Sequence, residues 1–136
     1  MHLAVVVVTY NSARDLPALL SSIPRHTDAH RLDLIVVDND SDEDCRPLVD
    51  AAWPGATFVA HGASLGYAAG VNAGWRHAGE ADAMLLLNPD LELGEGVLEA
   101  WVSGLASPGA GRVGVVGPQI VDAEGVRQPS LRREPT

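Results

Sequence analysis

Four short polar segments each close an aliphatic or β-branched run. Thr9-Tyr10-Asn11-Ser12 follows Leu3–Val8, and Asp38-Asn39-Asp40-Ser41-Asp42 follows Leu32–Val37. His61-Gly62-Ala63-Ser64-Leu65-Gly66 closes the run that starts at Thr57, and Asn88-Pro89-Asp90 follows Ala83–Leu87. A carboxylate at the end of an aliphatic strand is held on a rigid support. There the Asp38 carboxylate can accept hydrogen bonds from a base N–H or a ribose hydroxyl. Asp90 stands behind a proline that stiffens its turn, which suits a ligand for Mg2+ or Mn2+. Such an ion would bridge to a diphosphate and offset its charge. Plainer readings stand beside these. Asp38 or Asp40 caps the following helix, and Asp42, Glu43 and Asp44 favour the positive end of its dipole. Asn88-Pro89-Asp90 is a turn and nothing more. The arrival of four polar segments at what would be one edge favours ligand roles for Asp38 and Asp90.

Composition narrows the chemistry further. The 136 residues hold nine arginines, no lysine and eighteen acids, for a net charge of −9. A binder of nucleic-acid backbone needs a basic face, so nucleic acid is not an expected partner. The lack of lysine excludes a Walker-type phosphate loop and Schiff-base chemistry. Cys45 is alone, which excludes an internal disulfide and a multi-cysteine zinc site. It falls at a helical apolar position, reads as core, and fits a reducing compartment. His2, His26, His30, His61 and His77 show no metal-ligand spacing. No nucleophile–histidine–acid arrangement stands out, and Trp53, Trp75 and Trp101 read as core or groove wall. The longest aliphatic run falls far short of the roughly 20 residues that span a bilayer. The N-terminus lacks the basic region and cleavage site of a signal peptide. The expectation is a cytoplasmic chain, with peripheral contact at the inner face of the membrane left open.

Strand and helix patterns alternate to position these residues. Strands are predicted at Leu3–Thr9, Leu32–Val37, Thr57–His61, Ala83–Leu87 and Val113–Gly117. Leu16, Leu19, Leu20 and Ile23 predict a helix over 13–24, opened by an approximate capping box from Ser12 to Asp15. Cys45, Leu48, Val49 and Ala52 mark a second helix, ended by Pro54-Gly55. Gly66–His77 forms a third. Val97, Leu98, Trp101, Val102 and Leu105 mark a fourth, stopped near Pro108-Gly109. Gln119–Asp122 and Val126–Gln128 flank a hairpin turn at Ala123-Glu124-Gly125. The fold class is α/β, a mostly parallel sheet with helices on both faces. Ligands of such sheets bind beyond the carboxyl ends of the strands. One domain is expected over 1–128, with a polar tail at 129–136. Gly62, Gly66, Gly70 and Gly74 recur every four residues, which lets a helix approach either the sheet or a ligand closely. Asn72 on that helix is free to hydrogen-bond outward.

Together these motifs resemble the family 2 glycosyltransferases, inverting enzymes of the GT-A fold. The likeness is to rhamnosyltransferase-like members that build cell-surface polysaccharide. Val5-Val6-Val7-Val8-Thr9-Tyr10-Asn11 resembles the opening strand and loop, and Val36-Val37-Asp38-Asn39-Asp40-Ser41-Asp42 the second. Leu65–Gly74 resembles the glycine-rich helix, and Leu86-Leu87-Asn88-Pro89-Asp90 sits where the family carries its Asp-x-Asp metal motif. Val116-Gly117-Pro118 and Arg132-Arg133 are also familiar there. The resemblance implies a Rossmann-like nucleotide-binding half of the GT-A fold. Thr9, Tyr10 and Asn11 would line the base pocket, and Asp38, with Asp40 beside it, would bind base or ribose. Gly66, Gly70 and Asn72 would lie beside the nucleotide sugar. Asp90 would hold Mg2+ or Mn2+ on the diphosphate. Asn88 takes the place of the first acid of the metal motif and would lie at the nucleotide.

Partners would be a dTDP- or UDP-linked sugar and a glycan or lipid-linked acceptor. Inverting transfer needs a base for the acceptor hydroxyl. After Asp122 the only acids are Glu124 and Glu134, neither in the family's context. The base is therefore expected beyond residue 136, leaving a donor-binding portion with little or no transfer of its own. Uncovered sheet edge predicts self-association into a homo-oligomer. Two alternatives remain: a non-catalytic nucleotide-sugar-binding module, and a nucleotidyltransferase, which would want a basic glycine-rich phosphate loop that this chain lacks.

Overall fold

The computed structural model describes residues 1–23, 30–107 and 113–129. The chain divides into two compact units, Met1–Glu95 and Gly96–Thr136, a boundary that falls inside the single domain expected over 1–128. Residues 130–136, with Arg132, Arg133 and Glu134, lie outside the described residues, as do His26 and the Pro108-Gly109 helix stop.

The first unit alternates without exception. Its elements are β1 (His2–Thr9), α1 (Leu16–Ser22), β2 (Arg31–Asp38), α2 (Arg46–Ala52), β3 (Thr57–Ala60), α3 (Tyr67–Arg76) and β4 (Ala83–Leu87). All four strands are parallel and ordered β3-β2-β1-β4. Side chains alternate across a strand, so Val6 and Val8 share a face with Ile35 and Val37, while Val5 and Val7 share the other with Leu34 and Val36. Both sets are buried, so the sheet is covered on both sides. That is why these runs are continuously aliphatic instead of alternating. On the first face Ala73 of α3 and Ala78 beyond it join Ala4, Val6, Val8, Ile35 and Val37 in one apolar cluster. α1 and α2 touch each other and bury Leu16, Leu19, Leu20 and Val49. A buried Val or Leu contributes about 1.5–3 kcal/mol, so this double layer dominates the stability of the unit.

α1 is shorter than the 13–24 expected, and its start differs. Asp15 is the N-cap and makes no side-chain cap bond. The Ser12 hydroxyl donates instead to the carbonyl of Tyr10 (3.1 Å), folding the loop back on itself. Short hydroxyl side chains take such local backbone bonds readily, and this one outcompetes the capping box. α2 begins at Cys45 as its N-cap, not at Asp38 or Asp40. Asp44 supplies the acid there, accepting the Arg46 N–H at 2.9 Å.

The second unit holds α4 (Val97–Ala106) and a two-stranded antiparallel ribbon, β5 (Ile120–Val121) with β6 (Arg127–Gln128). The turn between them closes on Asp122, whose carboxylate accepts the Val126 N–H at 2.7 Å. Val113–Gly117 forms no strand, contrary to expectation. Two glycines in five residues weaken the run. Of its three valines, Val115 is 88% exposed and only Val116 packs, over Gly104 of α4. Among the described residues no helix is long and apolar enough to cross a membrane.

Candidate functional site

The strand order locates the site. From β1 to β2 to β3 the chain steps in one direction across the sheet, and then β4 returns to the far side of β1. A parallel sheet opens a crevice where that direction reverses, just beyond the carboxyl ends of the strands. Here the crevice lies between β1 and β4. Val7 pairs with Leu87, so Thr9-Tyr10-Asn11 emerges on one side and Asn88-Pro89-Asp90 on the other.

The loops after β1 and β2 are fastened to each other. Thr9 is fully buried, and its hydroxyl donates to Asp38 Oδ1 at 3.2 Å. Its carbonyl accepts the Asn39 N–H at 2.8 Å. Asn11 donates its N–H to Ser41 Oγ (2.9 Å), and its amide oxygen accepts the Asp42 N–H (2.9 Å). Asp38 takes two further donors, the Ser41 N–H at 3.1 Å on Oδ2 and the Ser41 hydroxyl on Oδ1. Its carboxylate is thereby fixed in orientation while remaining half-buried. Asn11 and Asp40 both have left-handed backbone, φ 50° and 72°. Non-glycine residues seldom adopt it, and Asn and Asp do so most readily. Tyr10, between the buried Thr9 and the bent Asn11, is 57% exposed.

Across the crevice Asn88 and Asp90 are exposed in a turn closed by the Leu91 N–H on the Asn88 carbonyl (3.3 Å). The segment is tied down behind them, where the Leu93 N–H donates to the buried Ser22 hydroxyl of α1 at 3.1 Å. Neither a hydrogen bond nor an ion pair engages the Asp90 carboxylate among the described residues. Nor does any group of three or more His, Cys, Asp or Glu side chains there stand ready to hold a metal. Asp90 would thus be one protein ligand among several groups. Mg2+ and Mn2+ accept that arrangement, since substrate phosphates and water complete their shells.

The glycine row divides into two uses. Gly66, at φ 84°, is the N-cap of α3. Gly70 and Gly74 face β1 at close quarters, where a Cβ on either would collide with Val8 or Val6. Asn72 is exposed on the same helix. Burial pushes the Cys45 thiol up, and the negative charges of Asp38, Glu43 and Asp44 push it further. It is a core residue and no nucleophile.

Residues 4–135 match the sequence model of Glycosyl transferase family 2. The chain belongs to that family. It is 29% identical over 144 residues to N-acetylglucosaminyl-diphospho-decaprenol L-rhamnosyltransferase of Mycobacterium tuberculosis (strain ATCC 25618 / H37Rv). That match takes in 98% of this chain and 46% of the relative, so the chain spans about half the length of the curated relatives it matches. Among solved structures it resembles the mannosyltransferase PcManGT from Pyrobaculum calidifontis, determined with GDP-Man and Mn2+. The TM-score is 0.70 and the identity 26%, over 78% of this chain and 32% of that one. S. aureus TarS 1–349, solved with UDP, gives a TM-score of 0.68 at 19% identity, over 77% and 32% of the respective chains. The family member's four-stranded parallel sheet is that of GT-A glycosyltransferases.

Thr9, Tyr10, Asn11, Asp38 and Asp40 therefore gather in one fastened pair of loops, and Asn88 and Asp90 face them across the strand reversal. Gly66 opens the adjoining helix, and Gly70 within that helix is buried against Val8. Sequence reasoning passed over Asn39 and Ser41. Both lie inside the quoted motif, but only their bonds to Leu65, Asn11 and Asp38 reveal them as the fasteners.

Proposed function

We propose that this chain is the donor-binding portion of an inverting glycosyltransferase. It would take a sugar from a dTDP- or UDP-linked donor and pass it to a cell-surface polysaccharide or lipid-linked acceptor, in the cytoplasm at the inner membrane face. The observation that carries this reading is the reversal of strand order between β1 and β4, flanked by Thr9–Asn11 and Asn88–Asp90. Likeness to a rhamnosyltransferase and to nucleotide-bound transferase structures supports it.

On this reading Thr9, Tyr10 and Asn11 line the base pocket, with the Tyr10 ring offering an apolar face. Asp38, with Asp40 beside it, takes the hydrogen bonds of base or ribose. Gly66, Asn72 and Asn88 lie along the nucleotide sugar, and Gly70 acts by letting α3 settle onto β1. Asp90 would hold Mg2+ or Mn2+ at the diphosphate. When bound, the ion neutralises charge on the leaving group. In transfer the acceptor oxygen bonds to the anomeric carbon as the carbon–oxygen bond to the diphosphate breaks on the opposite side. The hydroxyl proton passes to a base.

Calorimetric titration with UDP, dTDP and GDP, each with and without Mn2+, tests the reading. One diphosphate is expected to bind, and more tightly with the ion. A folded chain that binds none of them would overturn the donor site.

A further inference from the structure

We infer that Asn39 is a positioning residue that fixes the loop between β3 and α3 against the site and thereby sets nucleoside-diphosphate affinity; the inference rests on the donor-site reading above. Asn39 lies between Asp38 and Asp40 in the second motif, yet only 6% of it is exposed. Its backbone N–H is committed to the Thr9 carbonyl at 2.8 Å. Its side-chain oxygen accepts the Leu65 N–H at 3.1 Å, across 26 residues of sequence. One residue thus joins β1, β2 and the loop leading to α3.

That loop has little else to hold it. Residues 62–68 are exposed throughout, including Leu65 (56%) and Tyr67 (51%), so apolar packing does not anchor them. Gly62 and Gly66 bracket the loop with positive φ (64° and 84°), and neither has a neighbour within 4 Å of where a Cβ would stand. Its start is tied by the His61 N–H on the Asp38 carbonyl (3.0 Å) and its end by the first turn of α3. Between them, among the described residues, the Asn39–Leu65 bond is the single side-chain tether. A buried amide at that spot has a clear cost, since its polar atoms must be paired. The loop stands beside Asp38, the carboxylate assigned to base or ribose. Losing the tether leaves the strands intact and lets this wall of the site wander.

Amide exchange followed by NMR, with calorimetry, tests this. In the parent chain the Leu65 amide should exchange more slowly than those of Ala63 and Ser64, which have no acceptor among the described residues. Asn39→Ala should lift that protection while leaving the amides of β1 and β2 protected, and should weaken the tightest-binding diphosphate about fivefold. Asn39→Asp retains the acceptor oxygen and should keep the Leu65 amide protected. An unprotected Leu65 amide in the parent, or one exposed by Asn39→Asp, overturns the inference even if Asn39→Ala fails to fold. Parent binding that Asn39→Ala leaves unchanged overturns the inference alone. A parent with a protected Leu65 amide that binds no diphosphate overturns the donor-site reading, and the role in binding with it.

Discussion

The two ends of the same sheet treat carboxylates in opposite ways. At the amino end Asp33 receives His2 Nε2 at 2.7 Å and Arg31 at 3.1 Å. Asp82 there accepts the His2 N–H at 2.7 Å. Among the described residues, both ion pairs fall on Asp33. At the carboxyl end, among the described residues, Asp38 is met only by hydroxyl and N–H donors, and Asp42 by the Asn11 amide. Asp90 has no partner among the described residues. One end satisfies its charges internally and closes the fold. The other holds its charges in place and leaves them uncompensated, which suits a site whose ligand arrives with a cation.

Asp90→Ala should bring the largest change. The Mn2+-dependent part of diphosphate affinity should fall on the order of a hundredfold by calorimetry, because an ion's contribution of several kcal/mol depends on this one carboxylate. Unchanged metal dependence would break the comparison at its sharpest point. Asp38→Ala comes next. It strips the acceptor from the Thr9 and Ser41 hydroxyls and the Ser41 N–H, so urea denaturation should show a loss of about 1–3 kcal/mol. Nucleotide binding should weaken with it, and Asp38→Asn should restore part of the stability.

Asp33→Asn is the counterpart at the amino end. Its carboxylate is 41% exposed, so the cost should stay below about 1 kcal/mol, and diphosphate affinity should not move. The smallest effect is one of pH. The hydrogen bond from His2 holds Asp33 below its ordinary value of 3.8, with Arg31 adding to it against some cost of burial. The native state therefore binds the proton less tightly than the unfolded chain does. The stabilisation is present above 3.8 and is lost as pH falls through the lowered native value. Stability curves of the parent and Asp33→Asn should converge in strong acid and separate slightly above it.

Much of this contrast was legible in the sequence, and unevenly. β1 and β2 announce themselves because burial on both faces demands unbroken aliphatic runs, as at Val5–Val8 and Leu34–Val37. The ends of β2 and β4 were legible too, since Asp38 and Asn88 interrupt their aliphatic runs abruptly. The order β3-β2-β1-β4 was not, because pairing between distant segments leaves no local period. The glycine row was ambiguous for a similar reason. Spacing of four serves a turn and a close helix contact equally, and only Val6 and Val8 beneath Gly74 and Gly70 separate the two uses. Val113–Gly117 reads as a strand by residue type, yet a strand also needs side chains to bury, and its glycines supply none. Asn39 carries no signal in the sequence, because a polar residue in a polar loop is unremarkable until its partner, Leu65, is known.

Paramagnetic mapping tests the central claim most directly. With the tightest-binding diphosphate present, Mn2+ should broaden the amide signals of Thr9–Asn11, Asp38–Ser41 and Asp90–Leu91, while those of His2, Arg31, Asp33 and Asp82 stay sharp. Broadening centred on the His2–Asp33 end, or none at the carboxyl end while the diphosphate is bound, would contradict the account.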